Sequence, residues 1–177
     1  MDYNTEHDNM YIGMEDVKIL VNNNMVEFTA NRVTSDMIQS VEHGTYDIIN
    51  NIVIESKILR YSTRALTEKN WTMFHTLNNE LRFMYTWNPL TICEKEDDEI
   101  HVTHEIPTPR LFKQIRGSSH GVHIDDNIWF LCHVVNYESR RHYYHIFVVI
   151  NAETYKLIKY SQLFTFEKEI VEYSLGF

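Results

Sequence analysis

Basic and hydroxyl side chains that can hold an anion are concentrated between residues 116 and 147. They are Arg116, Ser118, His133, Arg141 and His145. Arginine presents a planar fork of N–H donors that suits phosphate oxygens, while serine and histidine hydrogen-bond hydroxyl-rich ligands. The same charges can instead form salt bridges with carboxylates on neighbouring strands. The pattern therefore leaves open both an anion site and a structural role, and an earlier basic residue, Lys69, shares this ambiguity.

Aromatic residues add a second kind of binding chemistry. Trp71, Trp87 and Tyr144 are candidates for stacking on a sugar, because a pyranose ring presents apolar C–H faces to an aromatic plane. Trp129 has apolar neighbours on both sides and is expected in the core. Ser118 and His120 lack the nucleophile elbow or triad motif of a serine hydrolase, so we do not assign them that chemistry.

Repeated strand and turn patterns must position these side chains. After Arg116 the chain passes through an acidic turn at residues 125–127 into the apolar run 128–132, which favours a strand and is too short for an ordinary helix. The same order of polar motif, turn and apolar strand occurs in residues 13–32, with a turn at 22–24, and in residues 67–89, with a turn at 78–79. The turns recur at intervals of about 50 residues, a repeat length typical of four-stranded propeller blades.

Composition restricts the class of protein. At 177 residues and 44% hydrophobic, the chain can bury the core of one domain, which we expect to span residues 1–177. A net charge of −9 without a basic run argues against a nucleic-acid partner. The polar, acidic N-terminus lacks the pattern of a secretory signal, and no apolar run has the length of a membrane span. We therefore expect a soluble, cytoplasmic protein.

Metal and thiol chemistry are not indicated. Cys93 and Cys132 fit neither a disulfide framework nor a zinc spacing, so we expect buried free thiols. The acidic run 94–99 is expected to be a solvated loop, because contiguous carboxylates near a turn point in opposing directions. His101 and His104 have no helical spacing to support joint ligation. We predict no metal site and no cofactor.

The order of motifs along the chain resembles a known family. GMEDVK, EKNW followed by YTWNP, RGSS, a histidine at a strand end, RxYYHxF, SxxFxF and VEYSLG occur in sequence between residues 13 and 176. This order is similar to the five-bladed β-propeller proteins of carbohydrate metabolism related to β-mannoside phosphorylases and β-mannosidases. Similar segments also occur joined to glycosyltransferase modules. The resemblance implies an all-β fold with blades at about 13–60, 61–110 and 111–166, and residues 167–177 opening the next.

The resemblance also implies roles for acidic residues. The family's proton donor falls on Asp16, and Glu172 in VEYSLG is the second acid expected near the central channel. A glycosidic oxygen is a poor leaving group unless a carboxylic acid protonates it, which supports an acid on chemical grounds. The alternatives are that Asp16 caps a turn or pairs with Lys18, and that Glu172 is structural. Inorganic phosphate would be a co-substrate if the reaction is phosphorolysis.

Two departures from the family pattern matter. Val17 and Lys18 stand where the family has Pro and Arg. The bidentate hydrogen bonding expected of the arginine is therefore replaced by the single ammonium charge of a lysine. Three blades and the start of a fourth make an incomplete five-bladed ring with open strand edges. We therefore expect one of three cases: a fragment of a longer chain, a ring completed by a partner chain or a second copy, or a degenerate relative with a structural or binding role.

We therefore expect a module that acts on a glycoside, in a carbohydrate or glycoconjugate, by hydrolysis or phosphorolysis, or an accessory domain of a glycosyltransferase. The alternative is a non-catalytic glycan-binding or assembly module.

Overall fold

The structure, a computed structural model, describes residues 13–22, 24–34, 38–61, 67–137 and 140–177. In these residues the regular elements are β-strands and one short 3₁₀ helix, Arg110–Gln114, with no α-helix. The predicted all-β class is therefore confirmed. None of the described segments forms a helix long and apolar enough to cross a membrane.

The chain divides into two compact units. The first contains the described residues up to Asn70 together with Lys95–His101, and the second contains Trp71–Glu94 and Val102–Phe177. The predicted blade boundaries and the number of blades stay predictions.

The first unit contains a four-stranded antiparallel sheet in which sequential strands are neighbours. The β1 edge contains a bulge between Glu15 and Lys18, where the pairing with β2 shifts register. The strands are β1 (Glu15–Asn22), β2 (Met25–Val33), β3 (Gln39–Asp47) and β4 (Ile52–Ile58).

Side chains alternate between the two faces of this sheet, and both faces bury polar groups. On one face, Lys18 lies opposite Thr29, which lies opposite His43, and all three are buried. On the other face, Phe28 pairs in register with Gly44, and the absence of a side chain at Gly44 leaves room for the phenyl ring. Close packing on this second face thus depends on a glycine in β3.

The second sheet follows the same sequential order. Its strands are β6 (Thr72–His75), β7 (Leu81–Trp87), β8 (Leu90–Glu96) and β9 (Glu99–Ile106). The tip of the β8–β9 hairpin belongs to the first unit, where a short strand, β5 (Arg60–Tyr61), pairs in parallel with Glu99 and Ile100. An ion pair between Arg60 and Asp98 lies at this tip.

The third sheet has an interrupted first strand. Both β10 (Ile115–Gly117) and β11 (Val122–Ile124) pair with β12 (Asn127–Asn136), which is followed by β13 (His142–Asn151) and β14 (Leu157–Tyr160). At the interruption, Gly121 lies so close to Phe74 that a side chain would not fit, and its N–H donates to the Met73 carbonyl at 2.7 Å. The main apolar core packs here, around Phe74, Phe130 and Trp87.

The predicted hairpin turns are confirmed by the strand pairing. Asn22 pairs with Met25 across the first turn, of which Asn23 lies outside the described residues. His75 pairs with Leu81 across the turn that contains Asn78 and Asn79, and Ile124 pairs with Asn127 across the acidic turn. The polar motifs at 13–18 and 116–119 overlap β1 and β10, and the motif at 69–71 lies immediately before β6.

Candidate functional site

Asp16 lies in the β1 bulge of the first unit. Its backbone is left-handed, with φ of 50°, and its side chain is exposed. The buried Asn31 on β2 donates a hydrogen bond from Nδ2 to Asp16 Oδ2 over 2.9 Å. An exposed carboxyl group held by a buried amide has a defined orientation without being removed from contact with a ligand.

Cationic side chains accompany Asp16 in the first unit. Lys18 is 2% exposed, and Lys69 is exposed. Lys95 Nζ lies 3.3 Å from His43 Nδ1 and 3.8 Å from the carboxylate of Glu55. Lys18 and His43 thus place basic groups on one face of the first sheet, where they are buried.

In the second unit, Arg116 on β10 approaches Tyr137. Its Nη2 donates to Tyr137 Oη over 2.9 Å, and its Cζ lies 5.8 Å from the centre of the ring. The Cζ of Arg141 lies 5.7 Å from the same ring. Two guanidinium groups within this distance of one aromatic ring are in the range of cation–π attraction. The sequence analysis did not select Tyr137. The signal that could have identified it is an aromatic residue shortly before the Arg140–Arg141 pair.

A cavity of about 580 Å³ opens beside this group, within the volume range of small-molecule sites. It combines positive charge, hydroxyl and amide donors, and apolar surface, a mixture that suits a sugar with its hydroxyl groups and C–H faces. The residues that line it include Lys113, Arg116, Asn136, Tyr137, Tyr144 and Leu163.

A separate group of polar residues is buried in the same unit. In register across the third sheet, Arg116 pairs with His133, and His133 pairs with His145. Ser118 Oγ lies 2.7 Å from His133 Nδ1, and both residues are buried. The Tyr173 ring meets His133 edge-on with 5.0 Å between ring centres. Burial keeps Ser118, His133 and His145 from direct contact with a large ligand.

Glu172 ties the C-terminal segment to this buried group. Its carboxylate accepts N–H bonds from Phe166 (2.6 Å), Glu167 (2.9 Å) and Glu169 (2.9 Å). Glu172 Oε2 lies 3.5 Å from His145 Nε2. The carboxylate therefore holds the backbone of residues 166–169 in place through these hydrogen bonds.

The protonation of this pair follows from its surroundings. Burial acts to raise the pKa of Glu172, but the three backbone N–H donors and the nearby His145 outweigh it, and the pKa is lowered. Burial lowers the pKa of His145, although Glu172 opposes this effect. The lowered pKa favours the ionised form of Glu172, which is the form that accepts these three backbone hydrogen bonds.

The predicted stacking residues separate into two groups. Trp71 is 2% exposed and packs edge-on against Tyr85 at 5.1 Å, and Trp87 is 3% exposed and packs against Phe130 at 5.3 Å. Tyr144 lines the cavity. Of the three sequence candidates, Tyr144 is the one available to a ligand.

Comparisons with known proteins bear on this arrangement. No family model and no curated protein matches the chain. Among solved structures, a β-1,2-mannobiose phosphorylase from Listeria innocua, in complex with β-1,2-mannobiose, aligns with a TM-score of 0.59 and 12% identity, over 90% of this chain and 46% of that one. A glycoside hydrolase aligns with a TM-score of 0.43 and 12% identity, over 92% of this chain and 52% of that one.

The alignment with the phosphorylase identifies the class of fold: this chain has the all-β fold found in a glycoside-active enzyme. The chain spans about half of the length of the phosphorylase and of the hydrolase. At this level of identity the likeness is one of fold, and the reaction must be argued from the residues.

Proposed function

We propose that this chain is a carbohydrate-active module that acts on a glycoside, with Asp16 as the proton donor. The observation that carries the proposal is the fold shared with a β-1,2-mannobiose phosphorylase over 90% of the chain. The resemblance of GMEDVK to the family's acid motif, and the exposed position of Asp16, support the choice of residue.

In this mechanism the Asp16 carboxyl group protonates the glycosidic oxygen as the bond to the anomeric carbon breaks. Water attacks that carbon in hydrolysis, and inorganic phosphate attacks it in phosphorolysis. Lys18 supplies positive charge on the buried face of the first sheet, as a point charge where the family has an arginine.

A non-catalytic glycan-binding module is the second candidate. The observation that favours it is that the second unit has a cavity lined by Tyr137, Tyr144 and Arg116, whose donors and aromatic surface suit the hydroxyl groups and C–H faces of a sugar. Three backbone N–H groups also hold Glu172, the second acid that the resemblance implied, and this supports a structural role for it.

The substitution Asp16→Asn distinguishes the two candidates. We expect it to reduce turnover of an unactivated β-mannoside by about a hundred- to ten-thousand-fold, the usual contribution of general acid catalysis. An aryl mannoside with a good leaving group needs no protonation and should lose much less. Turnover of both substrates is measured with and without phosphate, and thermal melts establish that the variant is folded.

A matched control is available in the same unit. Asp97 is also exposed and left-handed, with φ of 54°. Asp97→Asn should leave both rates unchanged. Equal losses on both substrates after Asp16→Asn, or no turnover by the wild-type protein together with measurable glycan binding, would favour the binding module.

A further inference from the structure

Asn31 is the buried hydrogen-bond partner of Asp16. It lies on β2 in register with Glu15 on β1 and Val41 on β3, and it is 4% exposed. The neighbouring strands on both sides fix its backbone in the sheet. The Nδ2 group donates to Asp16 Oδ2 over 2.9 Å.

An amide N–H₂ group only donates, so the oxygen that it contacts must accept. A protonated carboxyl group has one carbonyl-type oxygen, the better acceptor, and one hydroxyl oxygen. The contact with Asn31 therefore favours Oδ2 as the acceptor and leaves the proton on Oδ1. None of the described residues donates a hydrogen bond to Oδ1, and the side chain of Asp16 is exposed.

We propose that Asn31 is the positioning residue for Asp16 and makes Oδ1 the proton-donating oxygen; this rests on the proposed function. As the glycosidic bond breaks, its electron pair stays with the leaving oxygen, which receives the proton from Oδ1. Asp16 becomes a carboxylate, and the bond from Asn31 to Oδ2 becomes a charge-assisted one. Because this bond strengthens as the proton leaves, it stabilises the transition state more than the ground state.

Kinetics on the two mannosides test the role. Asn31→Ala should lower turnover of the unactivated mannoside by about a hundredfold, the loss that follows when a reacting group is misplaced by about 1 Å. Turnover of the aryl mannoside should lose much less. In an Asp16→Asn background, Asn31→Ala should add no further loss, because residues that act through one another are not additive.

Two further variants guard against damage to the fold. Asn31→Asp keeps the shape of the side chain but removes the donor, so it should lose at least as much as Asn31→Ala. Asp97→Asn, the exposed control in the same unit, should change neither rate. Thermal melts of all variants identify any that are unfolded.

A direct readout of the contact is the side-chain amide signal of Asn31 in the ¹⁵N spectrum. Asp16→Ala should shift this signal, and Asp97→Asn should not. An unmoved signal, additive losses, or equal losses on both substrates would overturn the inference while the proposed function stands on Asp16→Asn alone. Absence of turnover by the wild-type protein on either mannoside would overturn both.

Discussion

Gly44 on β3 is a position where one added methyl group should destabilise the first sheet. A Cβ atom at this position would lie 2.6 Å from the Glu55 carbonyl oxygen and 2.7 Å from Phe28 Cε1, and real Cβ atoms essentially never approach another atom within 3.0 Å. The phenyl ring can rotate, but the Glu55 oxygen belongs to the backbone of β4, so the strand itself must move. We expect Gly44→Ala to cost about 1–3 kcal/mol, as overpacking of an interior usually does.

The assay is urea unfolding monitored by circular dichroism, together with a thermal melt. For a chain of this length, such a loss lowers Tm by about 2–12 °C. Gly176→Ala is the control, since nothing lies within 4 Å of the added atom. Phe28→Leu removes the ring atoms that face the new methyl group and should recover part of the loss in the double variant. A Gly44→Ala protein as stable as the wild type would refute the reasoning.

Three further predictions concern buried polar groups in the second unit. The pKa values of His145 and Glu172 in the folded protein lie below their ordinary values of 6.5 and 4.5. The stability that each group contributes is therefore present above its ordinary pKa and is lost as pH falls. His145 should lose its contribution first, and Glu172 should follow at lower pH. Thermal melts from pH 7 to 3 check this sequence, and Glu172→Gln should flatten its lower part. Ser118→Ala removes the partner of His133 Nδ1 and should lower the free energy of unfolding by about 1–3 kcal/mol, measured in urea. Burial, and then the nearby Glu105, raise the pKa of the Cys93 thiol to about 12, so a thiol reagent at pH 8 should label Cys93 in urea and not in the native protein, as peptide mass spectrometry would show.

The order of the strands could be predicted from the sequence because the turn residues have strong local conformational preferences. Asn79 and Asp125 have left-handed backbones, with φ of 61° and 53°, and Asn and Asp accept that conformation more readily than other side chains with a Cβ atom. Each turn residue is followed by an apolar strand, so the hairpins could be read without knowledge of distant contacts.

Which side chains face a ligand could not be read in the same way. Alternation along a strand assigns residues to two faces, but it does not say which face another segment covers. His145 was a candidate for binding, yet Phe164 and Phe166 from the C-terminal segment pack against its ring. The role of Glu172 depends on this return of the chain, which joins residues far apart in sequence.

Two residues with a left-handed backbone, near β1 and β6, show which properties depend on backbone conformation and which depend on the side chain. Asp16 has φ of 50° in the β1 bulge, and Asn70 has φ of 62° two residues before β6. Both residue types tolerate this backbone because their short polar side chains bond locally. The carboxylic acid, however, has an acidic proton and the amide has none. Asp16→Asn thus keeps the conformation that alanine would strain, and a loss of turnover in that variant reports on the proton.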